Sequence, residues 1–159
     1  MPHRLAIALS LIAAGAVTVT AAPPSQADNS RFNKSVMSNV YTVQRQAGCT
    51  NTLNASPPLQ LAAQWHTHDV LNNRNLDGDI GSDGSTPQDR AHAAGFTGQV
   101  AETVAIHPAI AISGIELINM WYYNPHDFAV MSDCRNTLIG VWSENSFDRS
   151  VVVAVYGQP

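Results

Sequence analysis

Two runs near the C-terminus, Thr137 to Ser143 (TLIGVWS) and Ser150 to Gly157 (SVVVAVYG), are β-branched or otherwise apolar at nearly every position. A strand with one wet face alternates apolar and polar residues. These runs do not alternate, so both of their faces must be covered. The polar stretch Glu144-Asn145-Ser146 joins them as a hairpin. A sheet buried on both sides needs a layer on each side, and the helical patterns earlier in the chain supply them. The predicted class is α+β, a three-layer α/β/α sandwich. At 159 residues and 45% hydrophobic composition, one domain with a substantial core is expected.

The helical patterns are specific. Phe32, Val36, Val40 and Val43 recur at helical spacing until Ala47-Gly48-Cys49 stops the run. After a polar loop containing Pro57-Pro58, the residues Leu59, Ala62, Ala63, His66 and Val70 mark one face of a second helix. A short third helix is framed by Thr86 as N-cap, Pro87 at the first helical position, Asp89 three after the cap and Gly95 as the stop. Gln99 to Ile106 alternates weakly, as a strand or extended segment. His107-Pro108 opens a longer predicted helix in which Ala111, Ile115, Ile118 and Tyr122 stack on one side. Asn124-Pro125 ends it, because proline disfavours helix at the preceding residue.

The chain opens with MPHR, an uncharged apolar run and Ser25-Gln26-Ala27. This order reads as a secretory signal peptide over residues 1–27, cut near Ala27, with a single domain over 28–159. The mature chain would carry seven Lys+Arg, one of them lysine, against twelve Asp+Glu, a formal charge of −5. Polyanion binding needs a basic footprint, so neither nucleic acid nor an anionic membrane surface is an expected partner. No stable membrane anchor is expected after cleavage. In an exported chain, Cys49 and Cys134 read as one disulfide.

The segment NLDGDIGSDGST, residues 75–86, has the alphabet of a calcium loop. An EF-hand requires glycine at position 6 and a bidentate glutamate at position 12. Counted from Asn75, those places hold Ile80 and Thr86; counted from Asp77, Ser82 stands where glycine should. Neither frame fits.

The same segment carries a different pattern. Gly81-Ser82-Asp83-Gly84-Ser85-Thr86, then Arg90, Gly95-Phe96 and Glu102, resembles the bacterial SCP-like extracellular domains of the CAP superfamily. Upstream LAAQWHTHDV, and downstream Trp121, Asn124-Pro125, IGVWS and VVVAVYG, extend the resemblance over roughly residues 32 to 157. It implies an α/β/α sandwich, an extracellular or cell-wall-associated location, and a central cleft where many members hold a divalent metal, often zinc, with two histidines and acidic residues. Carried over by position, the first cleft histidine is replaced by Asp79, and the cleft glutamate is Glu102. The second histidine falls on Asp127, with His126 beside it, and a further glutamate is replaced by Asn124.

Zinc favours imidazole and thiolate ligands. A cleft of Asp79, Glu102 and Asp127 would suit calcium or magnesium better, or would have lost its metal; in the latter case no cofactor is expected. His66 reads as a satisfied core histidine, and His66 and His68 face different directions on a helix. Arg90 reads as a structural ion pair with Asp69 or Asp83, and Trp65, Trp121 and Trp142 as core. No nucleophile elbow, His-Glu-x-x-His motif or Cys–His pairing is present in the sequence. Two functions follow. One is a non-enzymatic secreted domain with a degenerate metal cleft, binding a small apolar ligand, a lipid or a partner surface. The other is a metal-assisted hydrolase with Glu102 as base and Asp79 and Asp127 holding a cation.

Overall fold

The computed structural model describes residues 26–159. The leader expected over residues 1–27 lies outside the described residues, apart from its last two. Nine elements follow in order: α1 (Gln26–Gln46), β1 (Asn54–Ala55), α2 (Pro57–Asn72), α3 (Pro87–Ala93), β2 (Gln99–His107), α4 (Gly114–Tyr122), α5 (Pro125–Ser132), β3 (Leu138–Asn145) and β4 (Ser150–Gln158). The expected hairpin is β3–β4, paired antiparallel from Leu138↔Gly157 to Asn145↔Ser150. β2 lies antiparallel on the other side of β4, and two residues of β1 pair parallel with β3, giving the sheet order β1-β3-β4-β2. The described fold is α+β with its sheet between two helical layers.

Burial on both sides explains the unbroken apolar runs. Val152, Ala154 and Tyr156 pack with Val36, Val40, Leu117, Trp121 and Met131, on the layer of α1, α4 and α5. Val151, Val153 and Val155 pack with Leu59, Ala62, Ala63, Val70, Ala91 and Phe96, on the layer of α2 and α3. Gly140 in β3 admits α2 at close range, because a Cβ there would collide with the backbone of Leu59 and Gln60. Cys49 and Cys134 form the expected disulfide, tying the end of α1 to the segment after α5.

The framed third helix is α3, in which Thr86 and Asp89 complete a capping box and Gly95 adopts φ +94°. Three expectations need correction. Pro57 and Pro58 are not in a loop but start α2, where a missing N–H costs nothing. The fourth helix starts at Gly114 behind the capping box of Ser113 and Glu116, not at His107-Pro108, which ends β2 and enters a loop. Its buried residues are Leu117 and Trp121, while Ile115 and Tyr122 are exposed. Asn124-Pro125 ends that helix and also begins another: Asn124 Oδ1 accepts the backbone N–H groups of His126 and Asp127, capping α5.

Candidate functional site

In β2 the even-numbered residues Val100, Val104 and Ile106 face α2 and α3. Glu102 shares that side, paired across the sheet with Val155. A carboxylate in an apolar row must find partners or lose its charge. Glu102 finds two. Its Oε1 lies 2.6 Å from Nδ1 of His66 on α2 and 3.0 Å from Nη2 of Arg90 on α3, which is also 3.2 Å from Oε2. The side chains of His66 and Glu102 are fully buried, and that of Arg90 nearly so.

Arg90 does more than neutralise. Its Nη2 donates to the Asp79 carbonyl at 2.7 Å and its Nη1 to the Ser85 carbonyl at 2.8 Å. One guanidinium therefore ties the family-like loop to the sheet. Arg90 makes a structural ion pair as expected, but with Glu102 rather than Asp69 or Asp83. Asp69 instead holds the loop from the other side, accepting from Ser82 N and Oγ at 2.7 Å each. Partial burial opposes ionisation of Asp69, but the bonds from Ser82 and Asn73 outweigh it and hold its carboxyl below the usual range.

His66 is in the core as expected, but it is only half satisfied. A proton on Nδ1, donated to Glu102, places the carboxylate between two donors. Arg90 Nη2 then lies 3.1 Å from Nδ1 as a neighbour rather than a donor to it. The other ring nitrogen, Nε2, is buried with no partner among the described residues.

The structure does not gather the expected cleft carboxylates. Asp79 joins the cluster through its carbonyl, while its side chain is exposed. Asp127 is half-buried on α5, in the layer that packs on Tyr156, behind the sheet from Glu102. Burial pushes its carboxyl above the usual range, opposed more weakly by His126, which is itself exposed. Glu102, bonded to His66 and Arg90, has no need of a cation. Among the described residues no group of three or more His, Cys, Asp or Glu is placed to hold a metal ion. The donor set expected for one shared cation does not fit, and no step of hydrolysis is routed through it.

The sequence reading missed the His66–Glu102 pair. The available signal was a glutamate on the inward row of a strand and a histidine on the apolar face of a helix; two buried polar groups facing the same layer are natural partners.

No model of a protein family matches this sequence, and no curated protein matches it. Solved structures do. An outer surface protein of Borrelia burgdorferi superposes with a TM-score of 0.71 at 16% identity, over 85% of this chain and 96% of that one. An extracellular protein of Bacillus anthracis containing an SCP domain gives 0.66 at 13% identity, over 87% and 45%. A cysteine-rich secretory protein of Staphylococcus aureus gives 0.63 at 12% identity, over 85% and 40%. The chain thus spans less than half the length of the Bacillus and Staphylococcus proteins. Its fold is that of the bacterial SCP/CAP domains, as the residue pattern implied. Among the described residues no helix is long and apolar enough to cross a membrane.

Proposed function

We propose that this CAP-type domain is secreted and acts by binding rather than by catalysis, taking a small apolar ligand such as a lipid chain in the groove between α1 and α4. The observation that carries this reading is the exposed side of α4. Ile115 is 77% exposed and Tyr123, just beyond the helix, 79%. With Ile118 and Tyr122 they face Asn39, Thr42, Val43 and Gln46 of α1 across a groove of about 310 Å³. Two sides of the helix are apolar: Leu117 and Trp121 fill the core, while Ile115 and Tyr122 face the groove beside Asn119, with no covering element among the described residues.

The aromatic end of the groove is braced. The Tyr122 ring meets Tyr123 and Phe128 edge-on, with centroids 5.5 and 4.9 Å away. Such rings offer wide apolar contact with few rotamers to freeze. The degenerate cleft belongs to the same reading, since a domain that binds through its surface has no need of a metal in its interior.

The test is a titration of a fluorescent fatty acid into the mature protein, compared with Ile115→Glu and Tyr123→Ser. Both sites are exposed, so the fold should survive. Saturable binding that the glutamate abolishes supports the groove. Unchanged binding in both variants, or none in the native protein, refutes it. Parallel calorimetric titrations with zinc, calcium and magnesium should give no stoichiometric heat; tight zinc binding would place a metal site where this reading has none.

A further inference from the structure

We infer that a second site lies on the opposite layer: the acidic pocket beside Trp65, between α2, α3 and the 81–86 loop, takes an organic cation of the size of a lysine or arginine side chain. The pocket holds about 540 Å³ and is walled by Trp65, Asp69, Asp83 and Asp89, with His66 and Arg90 beneath. Two features point to a ligand. The first is charge. The one guanidinium among these residues pairs with Glu102, and among the described residues none of the three aspartates forms a salt bridge. Bonds from Ser85 to Asp83 and from Thr86 to Asp89 hold both carboxyls below the usual range, and each keeps one oxygen free of hydrogen bonds among the described residues.

The second is independent of those acids. His66 is fully buried, Glu102 engages its Nδ1, and Nε2 remains unpartnered beneath the pocket. With the proton on Nδ1, Nε2 presents a lone pair. A buried acceptor without a donor is rare and calls for an N–H from outside. An ammonium or guanidinium supplies that donor and a positive charge together. The acids are not spaced for a metal ion, which would need oxygens converging to about 2.0–2.6 Å. A spread organic cation makes no such demand, and Trp65, exposed rather than in the core as expected, suits it further through its ring quadrupole.

The experiment uses the mature protein, with N-acetyl-lysine methylamide and butylammonium as probes and the Nε-acetylated lysine derivative as the uncharged control. Binding is read from amide and indole shifts in 1H–15N spectra. Saturable shifts of the Trp65 indole and the 82–90 amides are expected with both charged probes and not with the control, weakening as salt is raised. Trp65→Leu, at an exposed position, should weaken binding about fivefold without loss of fold. Asp83→Asn should weaken it in the same direction. Equal response to the acetylated control, no saturable response to either amine, or unchanged affinity in both variants would overturn the site.

Discussion

The two faces of the central sheet solve burial in different ways. Toward α1, α4 and α5 the contact is chiefly apolar, with Trp121, Leu117 and Met131 against Val152, Ala154 and Tyr156. At its centre is a neutral polar pair, Thr103 Oγ1 and Tyr156 OH, 3.0 Å apart. Toward α2 and α3 a comparable apolar layer encloses three ionisable side chains, His66, Arg90 and Glu102. The first face is built chiefly by shape and volume. The second fixes the position of a loop, because Arg90 binds that loop's carbonyls and Glu102 at once. Buried charge is a costly way to add stability but a specific way to hold one geometry. The exposed chemistry divides accordingly: a groove with Ile115, Ile118, Tyr122 and Tyr123 along one wall lies beside the first layer, and an acidic pocket is framed by the second.

Breaking each face should sharpen the contrast. Glu102→Gln leaves the Arg90 charge buried with no counter-charge and should cost about 3–5 kcal/mol in denaturant unfolding. Trp121→Ala should cost a similar ~3–5 kcal/mol by leaving a cavity. The distinguishing result is the rescue: Glu102→Leu combined with Arg90→Met should recover most of the first loss, while the 81–86 loop gains hydrogen exchange. No second polar change should rescue Trp121→Ala. Next in size, Tyr156→Phe orphans the Thr103 hydroxyl and should cost about 1–2 kcal/mol. Thr86→Ala removes one half of a capping box and should cost about 1 kcal/mol, as a lower midpoint of unfolding.

The smallest effect is expected at Asp127. Burial raises its folded-state pKa above the unfolded value, so its ionised form disfavours the fold. Any stability tied to its protonation is complete below the unfolded value and is lost as pH rises through the folded one. Asp127→Asn should therefore raise the melting temperature at pH 7, and the gain should vanish below about pH 3, where both states are protonated. A gain that persists at low pH would mean that burial of charge is not its source.

Much of this was legible in the residues. The non-alternating runs required a sheet covered on both faces, and β3 and β4 are that sheet's centre. Thr86, Pro87, Asp89 and Gly95 framed α3 closely, because capping is local chemistry. The fourth helix was less legible. Ile115, Ile118 and Tyr122 have the same periodicity as Leu117 and Trp121, and spacing cannot tell which apolar side of a helix meets the core. The site was harder still. Glu102 stood out by resemblance, but its partners come from residues 36 and 12 positions earlier in the chain. Only the packing of α2 and α3 on one side of β2 brings them together. Asp127 shows the converse, since a positional match in sequence lies behind the sheet in space.

The most direct measurement is a long-range 1H–15N correlation of the His66 ring at pH 7. It reports which nitrogen carries the proton. A protonated Nδ1 and a bare Nε2 are predicted, with Glu102 as the fixed acceptor. A proton on Nε2 would mean that Nδ1 accepts from Arg90, and would contradict both the arrangement of the buried cluster and the acceptor it offers to the pocket above.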